Sequence, residues 1–538
     1  MRTINTSLAL RVLFLPVVFV IYCTFVQLRS HVDNVAAHSR PSPEYGTVTH
    51  APLSTGIAVT KPSTAGPPGT DTATSSTRNL TEMKSTFSSG LEDFWRDLAT
   101  ALEDARPDCD PIKVQDGHPT NEETSFDPQN ISKLPPSRLV NFTDDQERIL
   151  FKSHYRMRTA SKHLARNLLF SKGERGIVTT ANAKYIPIFL VSLRMLRRTG
   201  CDLPVEVFID DWSKYDPVIC ESVLPSMNAA CVVLSEIYDT ASNARKPTSY
   251  QFKLFAMLFS SFQHVLFLDS DAFPAHDPTD LFTTAPYTTH GLVLWPDLFG
   301  LTISEHYYHI AGIPYESPSA RLSSESGILL LDKEKHRESF MMMMYYNYYG
   351  PDYYYPLLCQ GSHGAGDKET FVQAAMAVGA PWYQVKSGVA GLGFFDNKDY
   401  RLSGMSQMDP RTDYLYVPPT KNHIHPADLW DAKDVTPDEK VPTKPKPLFV
   451  HQNMHKLDPA RILSLEGSTA KTKDGKHTRM WGTLKTNVES FGYDIERRVW
   501  EAIVEEGCRL SDNADVCSDL KNHFVEVFGA LESTDPAR

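Results

Sequence analysis

The stretch HVLFLDSDAFP, residues 264–274, is the most informative part of this chain, because an apolar run ends in two carboxylates spaced i, i+2. In an extended strand such residues project to the same side, so Asp269 and Asp271 can share one divalent cation. Open α/β sheets bind their ligands at the carboxyl ends of strands, where these two residues are expected. A cation there can hold a nucleotide diphosphate, which predicts the metal site of a nucleotide-sugar transferase. The alternative is a solvated Asp-rich turn, because Asp is common in turns.

Around this stretch, short apolar runs alternate with segments of helical spacing, which predicts a largely parallel α/β sheet with right-handed crossovers. The runs expected to be strands are residues 176–180, 204–210, 231–237, 264–268, 291–297, 325–332 and 448–456. The segments expected to be helices are residues 184–198, 250–262 and 335–349. The Met and Tyr side chains of the last helix are attributed to core packing. No Gly-x-Gly-x-x-Gly or Walker loop occurs, so a dinucleotide-binding or kinase function has no supporting motif.

The N-terminus carries an apolar segment, residues 8–28, that is long enough as a helix to cross a bilayer. Arg2 and Arg11 at its start predict that residues 1–7 are a cytoplasmic tail and that the rest of the chain is luminal. The alternative is a cleaved signal peptide. We expect an uncleaved signal anchor that holds a single-pass type II protein in the lipid bilayer.

Residues 29–143 are expected to form a luminal stem, mostly disordered, because large apolar residues are scarce in its first part. Within it, residues 87–102 have the spacing of one amphipathic helix. The catalytic domain is expected to comprise residues 144–538. Three Asn-x-Ser/Thr triplets are predicted glycosylation sites: Asn79, Asn130 and Asn141.

The composition excludes some classes of protein. A net charge of -11 over 538 residues argues against a nucleic-acid binder, which would present a basic face. The chain has eight Cys, and Cys508 with Cys517 is the preferred local disulfide for an oxidising compartment; the other pairings stay open. No Cys-x-x-Cys occurs, so nothing indicates a structural zinc site.

Five sequence blocks occur together in an order that is typical of one family. The first is YQFKLFAMLFSSFQHVLFLDSDAFPAHDPTDLF at residues 250–282, and GLVLWPDLF, ESGILLLDKEKH, GAGDKETF and PLFVHQNMHKLDP follow it. With these blocks the chain resembles the fungal α-1,3-mannosyltransferase family over residues 176–459. The resemblance implies a GT-A-like nucleotide-sugar-binding fold, with a mixed, mainly parallel sheet flanked by helices. It also implies a retaining enzyme in the Golgi membrane, with a luminal catalytic domain, a GDP-mannose donor and Mn2+ or another divalent cation.

The predicted metal ligands are Asp269, Asp271 and His451. Asp271 is the expected direct ligand, whereas Asp269 is either a ligand or a contact to the nucleotide ribose. The resemblance implies the role of His451, which ends a late apolar strand; His455 is the weaker alternative. An imidazole beside carboxylates favours manganese over magnesium, which prefers oxygen ligands.

Three further residues are predicted to be catalytic. Lys253 lies on the helix before the Asp pair, where its charge can meet a phosphate or a sugar hydroxyl; the alternative is a solvated lysine. Asp367 and Glu369 follow a Gly-rich loop that permits close approach to a substrate, so one of them can hydrogen-bond the mannose or orient the acceptor hydroxyl. The alternative is that they cap the helix that follows.

The remaining predicted site residues line the donor and acceptor pockets. The residues expected to contact the donor nucleotide, besides Lys253 and Asp269, are Thr179, Thr180, Asn182, Asp210 and Tyr250. The residues expected to contact sugar or acceptor are Trp295, Asp297 and Glu325. For Asp210 an ordinary turn residue is an equal alternative.

These features predict a metal-dependent retaining transferase that moves mannose from GDP-mannose to mannose-terminated N- or O-linked glycans, with an α-1,3 linkage. Its expected partners are the donor, the glycan acceptors, the bilayer and other Golgi transferases. One alternative is a transferase that uses a UDP-sugar. Another is a catalytically silent luminal protein that binds glycans or acts as a scaffold. A secreted glycosidase would need two suitably spaced carboxylates, and an Asp pair after a nucleotide-type strand order argues against it.

Overall fold

The computed structural model describes residues 73–114, 120–127, 139–362, 364–416, 444–464, 467–510 and 514–530. The predicted tail, anchor and first part of the stem lie outside these residues. Within the described ranges, no helix combines the length and the apolarity needed to cross a membrane. One compact unit comprises Phe87–Tyr416 and Thr443–Arg538. Apart from the first residues of helix α1, every element below belongs to this unit.

The β-strands are β1 Lys113–Val114, β2 Val140–Asn141, β3 Ser171–Thr180, β4 Val205–Ile209, β5 Ala229–Val233, β6 Phe262–Leu268, β7 Ala272–Pro274, β8 Leu292–Gly300, β9 Leu322–Asp332, β10 Tyr383–Gln384, β11 Ala390–Asp396, β12 Asp399–Met408 and β13 Pro447–His451. The α-helices are α1 Ala73–Asp104, α2 Asn121–Thr124, α3 Asp144–Leu164, α4 Ile186–Arg198, α5 Leu234–Tyr238, α6 Gln251–Phe259, α7 Tyr287–His290, α8 Glu305–Ala311, α9 Arg337–Tyr348, α10 Tyr355–Cys359, α11 Thr370–Val378, α12 Pro410–Leu415, α13 Leu484–Phe491, α14 Ile495–Leu510 and α15 Ala514–Phe528.

In the described part of the chain, seven strands form one mixed sheet in the order β10-β8-β9-β6-β3-β4-β5. Strands β6, β3, β4 and β5 are parallel, and β10 is parallel to β8, whereas β9 is antiparallel to both β8 and β6. The carboxyl ends of β3, β4 and β6 therefore meet at one edge, where β9 begins. The predicted α/β class, a mixed and mainly parallel sheet flanked by helices, is confirmed.

A second, smaller sheet adjoins this edge. Its four described strands are antiparallel in the order β11-β12-β13-β7. Strand β7 begins at Ala272, directly after the Asp pair, and Ala272 lies opposite His451 of β13. The short strand β7 therefore connects the two sheets and joins the early and late motifs.

Alternate side chains of β6 pack into different hydrophobic cores, as the period of two along a strand requires. Val265 and Phe267 join the core that also contains residues of α1, α3, α6, α9 and α11. Leu266 and Leu268 join the core that contains residues of α4. Both faces of the large sheet are therefore covered, which explains why the central strands are almost continuously apolar.

The stem and the catalytic domain are not separated at residue 144 in the structure. The predicted amphipathic segment is the second half of helix α1, where Leu91, Trp95 and Leu98 are at most 1% exposed. The Trp95 indole N–H donates to the Tyr238 carbonyl at 2.9 Å. The compact unit therefore begins at Phe87, because the apolar stripe of α1 packs into the main core.

Two predicted strands end at least four residues earlier in the structure. The apolar run 231–237 ends as a strand at Val233, because helix α5 begins at Leu234. The run 448–456 ends as a strand at His451, after which the Gln452 backbone N–H donates to the Asp271 carbonyl at 2.9 Å.

The predicted Cys508–Cys517 disulfide is confirmed, and a second disulfide joins Cys220 to Cys231. The predicted core role of the Met and Tyr side chains in the helix α9 segment is also confirmed, since Met341–Met344 are fully buried.

Candidate active site

The two carboxylates of the Asp pair lie where β6 of the large sheet passes into β7 of the small sheet. The Asp269 backbone N–H donates to the Gly327 carbonyl of β9 at 2.8 Å. Asp269, Asp271 and His451 each offer one ligand atom, and these three atoms lie within 4.8 Å of one another. The structure therefore brings together the three residues predicted to bind metal.

The donor set fits a first-row divalent cation such as Mn2+, because it combines two carboxylates with an imidazole. The side chain of Asp271 is 6% exposed, whereas that of Asp269 is 32% exposed and forms the open side of the group. His455, the alternative imidazole, lies outside the group formed by the described residues, and its backbone N–H donates to the Ser403 carbonyl at 3.2 Å.

His451 is held between two carboxylates. Its Nδ1 lies 2.6 Å from Glu325 Oε2, and its Nε2 lies 3.5 Å from Asp271 Oδ1. Burial alone would lower the pKa of His451, but the two carboxylates outweigh it and raise this pKa to about 10. The Gln407 side-chain amide donates to the other oxygen of Glu325 at 3.0 Å. Glu325 therefore fixes the ring so that Nε2 faces Asp271, as partners of metal-binding histidines do.

The Asp271 carboxylate forms ion pairs with two cationic side chains. Lys456, five residues beyond His451 in the sequence, forms an ion pair with Asp271 Oδ2 opposite the imidazole. Burial alone would raise the pKa of Asp271, but His451 and Lys456 outweigh it and hold this pKa well below its usual range. Asp271 is therefore a charged carboxylate at the centre of the group.

Gly327 leaves the space that the imidazole occupies. A Cβ atom built on Gly327 would lie 2.3 Å from His451 Cε1 and within 2.9 Å of both ring nitrogens. Real Cβ contacts essentially never come this close, and the hydrogen bond to Glu325 and the ion pair with Asp271 restrain the ring. Glycine is therefore required here by the approach of His451 to β9.

Replacing Gly327 by Ala is expected to push the imidazole off its position and to weaken Mn2+ binding by about 10–100-fold, the range seen for residues that orient metal ligands. Isothermal titration calorimetry with Mn2+ measures this change. Gly90→Ala on helix α1 is the matched control, because its new Cβ would approach only the Leu169 side chain, at 3.1 Å. Unchanged Mn2+ affinity in the Gly327 variant would contradict the placement of His451 as a ligand.

Lys253, on α6, is a buried cation behind the Asp pair. Its Nζ lies 3.5 Å from Asp269 Oδ1 and 3.2 Å from Asp367 Oδ2, and it donates to the Ser326 carbonyl at 2.6 Å. Burial disfavours its charge, but the carboxylates outweigh this and raise the pKa of Lys253. Burial raises the pKa of Asp269 against the effect of Lys253. The solvated-lysine alternative is therefore wrong, and Lys253 links Asp269 to Asp367.

Asp367 lies in the loop before α11 and is buried. Its Oδ1 accepts a hydrogen bond from Ser326 Oγ at 2.8 Å, while Oδ2 faces Lys253. Tyr250, half exposed at the start of α6, covers Gly366, where a Cβ atom would lie 2.9 Å from the ring. The Gly-rich loop is therefore packed against helix α6, with Tyr250 at its open rim.

Glu369 does not offer a free carboxylate. Arg321 donates to it through Nη2 at 2.7 Å, and the Ser324 backbone N–H donates to it at 2.7 Å. Burial would raise the pKa of Glu369, but Arg321 outweighs it and lowers this pKa. The predicted catalytic role of Glu369 therefore has no support in the geometry: its carboxylate joins α11 to β9 and is held away from any substrate.

The three residues predicted to contact sugar or acceptor have different surroundings. Trp295 is fully buried, and its indole N–H donates to the Met408 carbonyl at 2.8 Å, so its side chain belongs to the core and offers no sugar-binding face. Asp297 pairs with Lys368 at 3.0 Å beside the Gly-rich loop. Glu325 supports His451, as described above. The structure thus places Glu325 behind Asp269, Asp271 and His451. It contradicts the predicted contact of Trp295 with the sugar or the acceptor.

The predicted nucleotide contacts lie at the same edge of the sheet. Thr180 ends β3, and its carbonyl accepts a hydrogen bond from Ser270 Oγ at 3.1 Å, which places it beside the Asp pair. Thr179 is 1% exposed, so its side chain faces the core of the sheet and does not line the pocket. Asn182 and Asp210 follow β3 and β4 and are partly exposed, and burial raises the pKa of Asp210.

Four residues that shape this site were not predicted. Ser326 links Lys253 to Asp367, Lys456 pairs with Asp271, Gly327 makes room for His451, and Gln407 fixes Glu325. Ser326 and Gly327 follow Glu325 in a predicted strand, and Lys456 lies in the last sequence block, so their positions in the chain were known. Their partners were not, because each contact crosses between elements far apart in sequence.

This chain is similar to known mannosyltransferases. A family model described as "Mannosyltransferase putative" matches residues 174–322 and 314–409. Alpha-1,2-mannosyltransferase MNN21 of Candida albicans is 31% identical over 485 residues, which cover 79% of this chain and 72% of that protein. Alpha-1,2-mannosyltransferase MNN2 of Saccharomyces cerevisiae is 29% identical over 466 residues, which cover 74% of this chain and 76% of that protein. Among solved structures, the glycosyltransferase GlyE of Streptococcus pneumoniae aligns with a TM-score of 0.25 and 14% identity, over 40% of this chain and 45% of GlyE.

Proposed function

Because this chain belongs to the fungal mannosyltransferase family of these relatives, we propose that it transfers mannose from GDP-mannose to mannose-terminated N- or O-linked glycans. The observation that carries the proposal is the meeting of Asp269, Asp271 and His451 at the carboxyl edge of the large sheet. This is the edge at which open α/β sheets bind nucleotides. The proposed location is the Golgi lumen, with residues 8–28 as the membrane anchor.

In the proposed mechanism, Asp269, Asp271 and His451 hold a divalent cation, preferably Mn2+. Such a cation neutralises the negative charge that develops on a departing nucleoside diphosphate. Glu325 keeps the His451 imidazole oriented, and Lys253 with Asp367 keeps the Asp269 carboxylate in place. Asp269 is the most open member of the group, so the donor approaches from its side.

The acceptor hydroxyl then attacks the anomeric carbon with retention of configuration; the bond from this carbon to the donor phosphate breaks, and in same-face attack the leaving diphosphate takes the hydroxyl proton. Retention requires either a carboxylate nucleophile, as in retaining glycosidases, or attack on the same face within an ion pair. Tyr250 stands at the rim of the site beside the Gly-rich loop, where its exposed ring can contact the sugar or the nucleotide. Asp367 acts in this scheme through Lys253, because its carboxylate is buried.

The linkage formed is proposed to be α-1,2. The names of the relatives support α-1,2 transfer, whereas the sequence blocks favoured α-1,3. The two linkages differ in which acceptor hydroxyl reaches the anomeric carbon, so they depend on the acceptor pocket rather than on the metal group.

The full chain, incubated with a mannobiose acceptor and Mn2+, is expected to transfer mannose from GDP-mannose and to be inactive with UDP-glucose and UDP-galactose. Linkage analysis of the product by NMR distinguishes α-1,2 from α-1,3. Addition of EDTA is expected to abolish transfer, and Mn2+ is expected to restore it. Comparable transfer from a UDP-sugar would replace the proposed donor, and glycan binding without transfer from any donor would favour a scaffold role.

A further inference from the structure

Among the described residues, Lys456 is the one partly exposed lysine that pairs with a member of the metal group, which is formed by Asp269, Asp271 and His451. Its side chain is 34% exposed, whereas that of its partner Asp271 is 6% exposed. Lys253, the other lysine of the group, is 6% exposed and is held by three different residues. The two lysines therefore differ in their freedom to move.

The backbone beside Lys456 is held by hydrogen bonds, whereas its side chain is 34% exposed and is paired with Asp271. The side-chain amide of Gln452 donates to the His455 carbonyl at 2.8 Å and to Ser403 Oγ at 2.7 Å. The His455 backbone N–H donates to the Ser403 carbonyl at 3.2 Å. Lysine itself is a point charge on a flexible stem of four carbons. The ammonium can therefore leave Asp271 by rotation of the side chain, without movement of the loop.

A divalent cation and this ammonium compete for the same carboxylate. Two like charges held at the same carboxylate repel each other, and the repulsion is stronger in a partly buried site than in water. Asp271 without any cation would in turn be a buried charge with His451 as its remaining partner, and removing a partner from a buried pair is strongly destabilising. The ion pair with Lys456 thus stabilises the same carboxylate that a cation would bind.

We propose that Lys456 is a tethered, displaceable counter-ion of Asp271, which holds the site in the absence of a divalent cation and is exchanged for the cation when it binds. Lys456 therefore lowers the cation affinity of the site and limits occupancy to conditions where the cation is abundant. The inference rests on one part of the proposed function, the binding of a divalent cation. It does not depend on the identity of the donor or of the acceptor.

The test uses the full chain and Mn2+ alone, titrated by isothermal calorimetry without donor. Lys456→Met keeps the length of the stem and removes the charge, and we expect it to bind Mn2+ about tenfold more tightly, which corresponds to about 1.4 kcal/mol. Lys456→Arg keeps the charge and should bind as the wild type does. Lys473→Met is the matched control, because it removes an exposed Lys–Asp pair with Asp399 and should leave the affinity unchanged.

A second measurement needs no variant. In the wild-type chain, Mn2+ is expected to raise the rate at which acetic anhydride acetylates Lys456, measured by peptide mass spectrometry, because the released ammonium becomes accessible. The acetylation of Lys473 should not change.

Equal or weaker Mn2+ binding by Lys456→Met, or acetylation of Lys456 that Mn2+ leaves unchanged or slows, overturns the inference while the proposed function stands. A wild-type chain that does not bind Mn2+ at all overturns both the inference and the metal dependence of the proposed function.

Discussion

Replacing Asp271 by Asn is expected to lower kcat/KM for mannose transfer by about 1000-fold, which corresponds to about 4 kcal/mol of transition-state stabilisation. Asn has the shape of Asp but lacks the charge that binds the cation. The substitution also removes the shared partner of His451 and Lys456. Initial rates with GDP-mannose and Mn2+ measure the loss, and calorimetry with Mn2+ should show that binding is lost in parallel.

The control for this variant is Asp399→Asn. Asp399 is also paired with a lysine, but its side chain is 53% exposed on the small sheet, so the change should leave activity and Mn2+ binding as in the wild type. A double variant, Asp271→Asn with Lys456→Met, removes both members of the ion pair. We expect it to be more stable than Asp271→Asn alone, because no unpaired lysine is left, but to remain inactive. An Asp271→Asn variant that keeps more than about a tenth of wild-type activity would refute the role of this carboxylate in catalysis.

Replacing Lys253 by Met is expected to destabilise the fold by about 3–5 kcal/mol, the cost of removing one partner of a buried charge pair. The Asp367 carboxylate, 4% exposed, would then lose its ion pair with Lys253, and Asp269 would lose the charge that lies 3.5 Å away. Thermal unfolding followed by circular dichroism measures the loss. We also expect kcat/KM to fall by at least about 100-fold, because Asp269 is no longer held in place.

Lys333→Met is the matched control, because Lys333 is also fully buried but donates to backbone carbonyls, Ser260 O at 2.7 Å and Leu258 O at 3.4 Å. Burial lowers the pKa of Lys333 to about 7, so a substantial fraction of this lysine is uncharged near neutral pH, unlike Lys253, whose pKa is raised. Its removal should cost less stability and should not change activity. A Lys253→Met, Asp367→Asn double variant should be more stable than Lys253→Met alone. Additive losses in that pair would contradict the coupling of Lys253 and Asp367.

The parts of the site that local spacing specifies were predictable. The i, i+2 spacing of Asp269 and Asp271 after an apolar run sets both carboxylates on one side at the end of a strand, whatever the rest of the fold does. The alternation of strands and helices likewise predicted a mainly parallel sheet. The Cys508–Cys517 disulfide was predicted because the two residues are close in the sequence.

Helix α1 and Trp295 show where such spacing is insufficient. The apolar stripe of α1 was predicted, but whether it packs on the main core depends on a surface formed by residues far along the chain. Trp295 was expected to contact the sugar or the acceptor, yet its strand β8 buries it, against Phe449 of β13. Exposure is a property of the whole packed structure, so a local pattern does not determine it.

The sequence by itself determined that two carboxylates end a central strand and that an imidazole ends a late one. Only the tertiary structure decided that they meet, because strand β7 pairs with β13 and sets His451 opposite Ala272. It also decided that Glu325, Lys253 and Asp367 support them, since β9 enters the sheet antiparallel and begins where β6 ends. The physical reason is that strand periodicity acts over neighbouring residues, whereas charge pairing and hydrogen bonding act through space between elements whose order in the sheet the local pattern does not encode.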